Sequence, residues 1–179
     1  MGRAQFRRTL LLGSLLWSAC GMLAEARAEP RSISATVTGE DIQKVGFRAM
    51  IQKLAIRYNL AGMVRNGPDG SVAVHLQGDE APVALVLEAM RDGNKKSSSG
   101  NTIRQSPSQP EPSLKTFTIY GWTSTSRDIT NPYDLVFTLR PSNNEISRDA
   151  AKRIWNSIAL ATLKGGDLAK FQEHLDDDD

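Results

Sequence analysis

The sequence predicts an α+β fold, a two-layer sandwich with two helices on one face of an antiparallel sheet, on three observations. Apolar periodicity switches between two and 3.6 in the order strand, helix, strand, strand, helix, strand, strand. A Gly-Pro-Asp-Gly turn separates the two central strands. With 179 residues, 40% of them hydrophobic, the chain can build one or two small domains on an ordinary core.

The first residues stand apart from that fold. Arg3, Arg7 and Arg8 form a basic start, Leu10 to Leu23 is apolar, and Ala26-Arg27-Ala28 has the small-x-small form of a cleavage site, together the pattern of a secretory signal. An apolar run of about 14 residues is shorter than the ~20 a helix needs to span a bilayer, so no membrane span is expected in the mature chain. The chain thus divides into a signal peptide (1–28), a small domain (29–122) and a C-terminal extension (123–179), with an exported, periplasmic location expected. Arg7-Arg8 and the setting of Cys20 leave the general secretory, twin-Arg and lipidated routes open. Without residues 1–28 the balance is 18 basic against 19 acidic residues, which argues against a nucleic-acid surface. The only cysteine leaves with the signal, unless lipidated, so no disulfide is expected. His75 and His174 alone cannot make a His/Cys metal site.

Residues 33–37 alternate, with Ile33, Ala35 and Val37 on one face of a strand. From Phe47 the repeat becomes helical: Phe47, Met50, Ile51, Leu54 and Tyr58 form one stripe. Arg48 lies off that stripe and is expected to face solvent or a ligand. Residues 61–66 and 71–77 read as a hairpin, with Val72, Val74 and Leu76 on one face and His75 half-exposed on the other. Asp79 caps a second helix whose stripe is Val83, Val86, Leu87 and Met90. Residues 92–113 read as a long connection with a short strand near Thr102 to Gln105, and residues 115–122 as a clear strand. This order is that of a ferredoxin-like sandwich. In the extension, 133–142 reads as a strand. Ser147 caps a helix with Ala151, Ile154, Trp155, Ile158 and Ala161 on one face, ended by Gly165-Gly166, and a shorter helix from Asp167 carries Leu168, Phe171 and Leu175. These apolar faces are expected to cover the open sheet or to serve a protein partner.

One loop suggests chemistry. Where a strand turns tightly into a helix, several backbone N–H groups are left unpaired, and a concave run of them binds anions. Gln43, Lys44, Val45, Gly46 and Phe47 would form such a cradle. Arg48 adds a planar fork able to hold two phosphate oxygens; its alternative is a surface ion pair. Asn66 ends the neighbouring strand, where its amide can orient a water or simply tolerate turn angles.

The segments "VTGEDIQKVGFR" (37–48) and "GMVRNGPDGSVAVHLQG" (62–78) resemble the two signatures of the acylphosphatase family, and the likeness runs from about Ile33 to Trp122. The resemblance implies hydrolysis of a small-molecule acyl phosphate to carboxylate and inorganic phosphate, with no cofactor or metal. It implies a backbone cradle at 43–47, with Arg48 on the phosphate and Asn66 on the attacking water. Three departures stand out: one extra residue at Glu40-Asp41, Lys44 in place of a Gly, and Met63 in place of an aromatic residue. Lys44 leaves a second function open, a non-catalytic anion-binding or protein-interaction module.

Overall fold

The computed structural model describes residues 30–97, 99–124 and 129–176; the signal-peptide reading of 1–28 and the acidic end 177–179 lie outside them. Ile33, Ala35 and Val37 are buried along β1 (Arg31–Thr38). Their counterparts are Val64 on β2 (Ala61–Asn66), Val72, Val74 and Leu76 on β3 (Val72–Gly78), and Phe117 and Ile119 on β5 (Thr116–Ser124). Because alternate side chains of a strand share a face, these residues make one apolar floor. Helix α1 (Phe47–Tyr58) and helix α2 (Glu80–Asp92) close over it, the latter through Val83, Val86, Leu87 and Met90 as the periodicity predicts.

Among the described residues the sheet has six strands in the order β4-β1-β3-β2-β5-β6, with β4 spanning Thr102–Pro107 and β6 Ile129–Thr138. Pairing is antiparallel except between β2 and β5, which run parallel through Gly62↔Phe117 to Val64↔Ile119. Val72 faces Val37 on one side and Asn66 on the other. The C-terminal ends of β1, β2 and β5 therefore gather at one end of the sheet. Gly62 is required where β2 meets β3: its φ is 140°, and an added Cβ would lie 1.9 Å from the His75 carbonyl oxygen.

The extension joins this sheet and core. Ser147 caps α3 (Arg148–Thr162) by accepting from the Ala150 N–H at 3.1 Å, and α4 (Gly165–Asp176) begins at the glycines. Leu163, one residue past the helix, is its C-cap. Helix α3 packs along α1 and β6 and α4 along β6 and α3, not on the open sheet face, where Tyr120 and Val136 are exposed. They are joined to β5 where Trp155 and Phe171 each meet Trp122 edge-on and each other at a tilt, with centroids 5.6–6.2 Å apart. Lys53 Nζ lies 4.5 Å from the Trp155 ring centroid.

That packing also changes which side of α1 is covered. Arg48, Gln52 and Ile56 are buried with Phe47, Ile51 and Ala55, while Met50, Leu54 and Tyr58 are only partly so. Arg48, expected off the buried face, is 6% exposed. On this flank α1 meets β5, whose Tyr120 and Gly121 carbonyls receive Arg48, and α3 packs further along the helix. Gln52 Nε2 stitches the layers, donating to the carbonyls of Phe117 (3.1 Å) and Leu135 (2.7 Å).

Candidate active site

The loop between β1 and α1 crosses the gathered strand ends. Its extra residue is absorbed early: Asp41 takes φ 47° in the turn after β1. Downstream, Lys44 (φ 62°) and Gly46 (φ 79°) are left-handed, and Val45 between them is not. Such alternation curls successive N–H groups inward into an anion-binding concavity. Among the described residues, no backbone N–H from Gln43 to Phe47 donates to a backbone carbonyl outside helix and strand ladders. Phe47, as the first helical residue, has no intrahelical acceptor either. Lys44 thus holds the backbone shape that Gly favours, at the steric cost of a Cβ in that region.

Two amides fix the loop. Gln43 Nε2 donates to the carbonyls of Gly67 (2.9 Å) and Ser71 (2.7 Å), clamping it to the β2–β3 turn. Asn94 Nδ2, just past α2, donates to the Val45 carbonyl at 3.1 Å. Sequence reasoning assigned no role to Asn94, which it placed in a mobile connection. The Asn94 side chain also accepts from the N–H groups of Lys96 and Ser97, an Asx turn that a Gly-Asn pair after a helix could have signalled.

Arg48 enters from the first turn of α1. Its Nη1 donates to the carbonyls of Tyr120 (2.8 Å) and Gly121 (2.9 Å) on β5. Among the described residues no carboxylate pairs with it. Burial strips its hydration and holds its pKa below the usual guanidinium range. A small pocket beside it is lined by Ile42, Lys44, Gly46, Phe47, Arg48, Ala49, Trp122 and Thr123. Asn66 ends β2 with Oδ1 buried and unpartnered, a state that few native polar atoms tolerate without a water or ligand. Two residues beyond the Val64–Ile119 pair come Asn66 on β2 and Gly121 on β5. All seven residues singled out in the sequence therefore lie at this end of the sheet. Two larger concavities, about 760 Å³ at the opposite end and about 430 Å³ on the open face, include neither Arg48 nor Asn66.

An α+β sandwich that gathers an amide concavity, an unpaired buried guanidinium and an orphaned amide oxygen at one sheet end is built to receive a small oxyanion. The acylphosphatase family model matches residues 33–119. An acylphosphatase of Nocardioides sp. is 39% identical over 74 residues, which cover 41% of this chain and 74% of the relative. One of Methanocella arvoryzae is 36% identical over 63 residues, 35% of this chain and 70% of the relative. The crystal structure of acylphosphatase from Bacillus subtilis aligns with 49% of this chain and 94% of its own, at 30% identity and a TM-score of 0.45. The chain belongs to the acylphosphatase family.

Among the described residues, no group of three or more His, Cys, Asp or Glu is placed to hold a metal ion, and no helix is long and apolar enough to cross a membrane.

Proposed function

We propose that the chain hydrolyses acyl phosphates to carboxylate and inorganic phosphate. The observation that carries this reading is Arg48, a buried cation with no carboxylate partner among the described residues, at the mouth of the amide concavity. An anion supplies what the protein does not. The N–H groups of Gln43 to Phe47 would hold the phosphoryl oxygens, and Arg48, with Nη1 fixed on two carbonyls, would present Nε and Nη2 to them. The orphaned Oδ1 of Asn66 would accept a hydrogen bond from the attacking water and turn its lone pair towards phosphorus.

No side chain in this arrangement acts as acid or base, and the reaction needs none. The leaving carboxylate has a pKa of about 4 and departs unprotonated. A phosphoryl oxygen of the substrate can take the water's proton. Positioning and charge stabilisation supply the rate, as in phosphoryl transfer generally. We further propose export to the periplasm, on the pattern of residues 1–28.

The test is hydrolysis of a synthetic acyl phosphate by the mature protein, beside Arg48→Ala and Asn66→Ala. Arg48→Ala is expected to lower kcat/KM by about 10²–10³-fold and to raise the inhibition constant of inorganic phosphate. Asn66→Ala is expected to lower kcat by about 10²-fold with little change in KM, since the water is positioned only for attack. Turnover by the wild type no better than by either variant would leave the second reading, a non-catalytic anion-binding module, for which Lys44 at a Gly position speaks.

A further inference from the structure

We propose that Asp134 is a positioning residue for Arg48, so that strand β6, beyond the family-matched stretch, completes the anion site; this rests on the phosphate-binding role given to Arg48 above. The family model ends at residue 119. The two carbonyls that fix Arg48 belong to residues 120 and 121, just past that limit. They point at the guanidinium because β5 is irregular there: its register with β6 shifts between Ile119 and Trp122, and Gly121 is left-handed at φ 57°. A regular strand would send successive carbonyls to opposite sides, and one side chain could not collect both. The irregularity brings Tyr120 and Gly121 to one donor atom.

Such a kink leaves the Gly121 N–H outside the ladder. Asp134 on β6 accepts from it at 2.8 Å. The carboxylate thereby holds the kink from the far side while the kink holds Arg48. Its position is exposed, so no packing demand explains a carboxylate there, whereas an N–H needing an acceptor does. Gly121 has open space around a built Cβ, so its requirement for Gly is conformational, not steric crowding by neighbours.

Electrostatics and positioning predict opposite signs, which makes the proposal testable. Removing a negative charge near an anion site strengthens anion binding, whereas loosening the kink that aims Arg48 weakens it. The dissociation constant for inorganic phosphate is measured by calorimetry for the wild type, Asp134→Ala, Asp134→Asn, Gly121→Ala and Arg48→Ala, with melting temperatures alongside. Asp134→Ala is expected to bind phosphate about fivefold more weakly, the scale of one hydrogen bond. Asp134→Asn, whose amide oxygen accepts the same bond, recovers most of that loss, and Gly121→Ala weakens binding from the other side of the contact. Binding by Asp134→Ala as tight as the wild type or tighter overturns the proposal, as does an Asn variant no better than Ala. Phosphate affinity unchanged in Arg48→Ala removes its foundation. Should the phosphate pattern hold while the wild type shows no acyl phosphate turnover, the positioning role stands and the hydrolytic reading falls.

Discussion

Residues 33–119 and residues 120–176 share a single sheet, but their polar groups serve different ends. The first stretch leaves hydrogen-bonding capacity open: among the described residues, no N–H of the 43–47 loop donates to a backbone carbonyl outside helix and strand ladders, and Asn66 Oδ1 has no partner. The second mostly supplies partners, although Arg140 Nε and Trp155 Nε1 are themselves buried without one among the described residues. Asn59 of the first stretch, at the end of α1, donates to the Arg140 and Ser142 carbonyls and accepts from the Arg140 N–H, and within the second Asp167 accepts from Asn131 Nδ2 and the Tyr133 hydroxyl. An anion site needs unsatisfied donors, and unsatisfied donors destabilise a fold unless the surroundings are over-determined. The extension supplies that surplus.

The largest expected effect would break this comparison outright. Trp155 is fully buried between Trp122 and Phe171, so Trp155→Ala should lower unfolding stability by about 3–5 kcal/mol, read by urea titration with circular dichroism. One shared transition, displaced to lower urea, is the outcome expected if both stretches form one core. A second transition, with the first unmoved, would show the extension to be a separate body. Next in size is Lys44→Gly. Releasing a left-handed side chain should raise stability by up to about 1 kcal/mol, and kcat/KM for an acyl phosphate will show whether the ammonium helps or hinders. The smallest effect concerns pH. Hydrogen bonds from Asn131, then Tyr133, hold the Asp167 carboxyl below the usual carboxylate range. A depressed folded pKa stabilises the protein above the unfolded value near 4 and loses that contribution as pH falls from there through the folded value. Asp167→Asn should therefore lower the midpoint near neutrality and converge with the wild type in acid, flattening the loss of stability below about pH 4, and an unaltered acid limb would remove this anchor from the comparison.

What the sequence disclosed follows the same division. The stripe of α2, the β2–β3 turn, the Ser147 cap and the site loop are local patterns, set by residues within one or two turns of each other, and each was legible. The burial of Arg48 was misjudged because the groups that receive it, the Tyr120 and Gly121 carbonyls, lie more than seventy residues along the chain. The kink at Gly121 was missed although a Gly within a strand pattern signals a bulge; only the register against β6 shows where it sends the carbonyls. Asn94 was hidden by composition, since a Gly/Ser/Asn-rich connection looks mobile whether or not one amide is anchored. The parallel β2–β5 pair could not be read from alternation, which is the same for either direction.

A guanidinium secluded from water, with no counter-ion among the described residues, has one more consequence, for the environment in which the chain folds. Any solute that binds the native chain alone shifts its folding equilibrium, by about 2.7 kcal/mol at a hundred times its dissociation constant. If phosphate binds beside Arg48 as proposed, ambient phosphate would act as a chaperoning ligand. The thermal midpoint should climb with phosphate concentration, and the climb should vanish in Arg48→Ala. Endurance of the fold would then depend on the ions around the protein as well as on the chain.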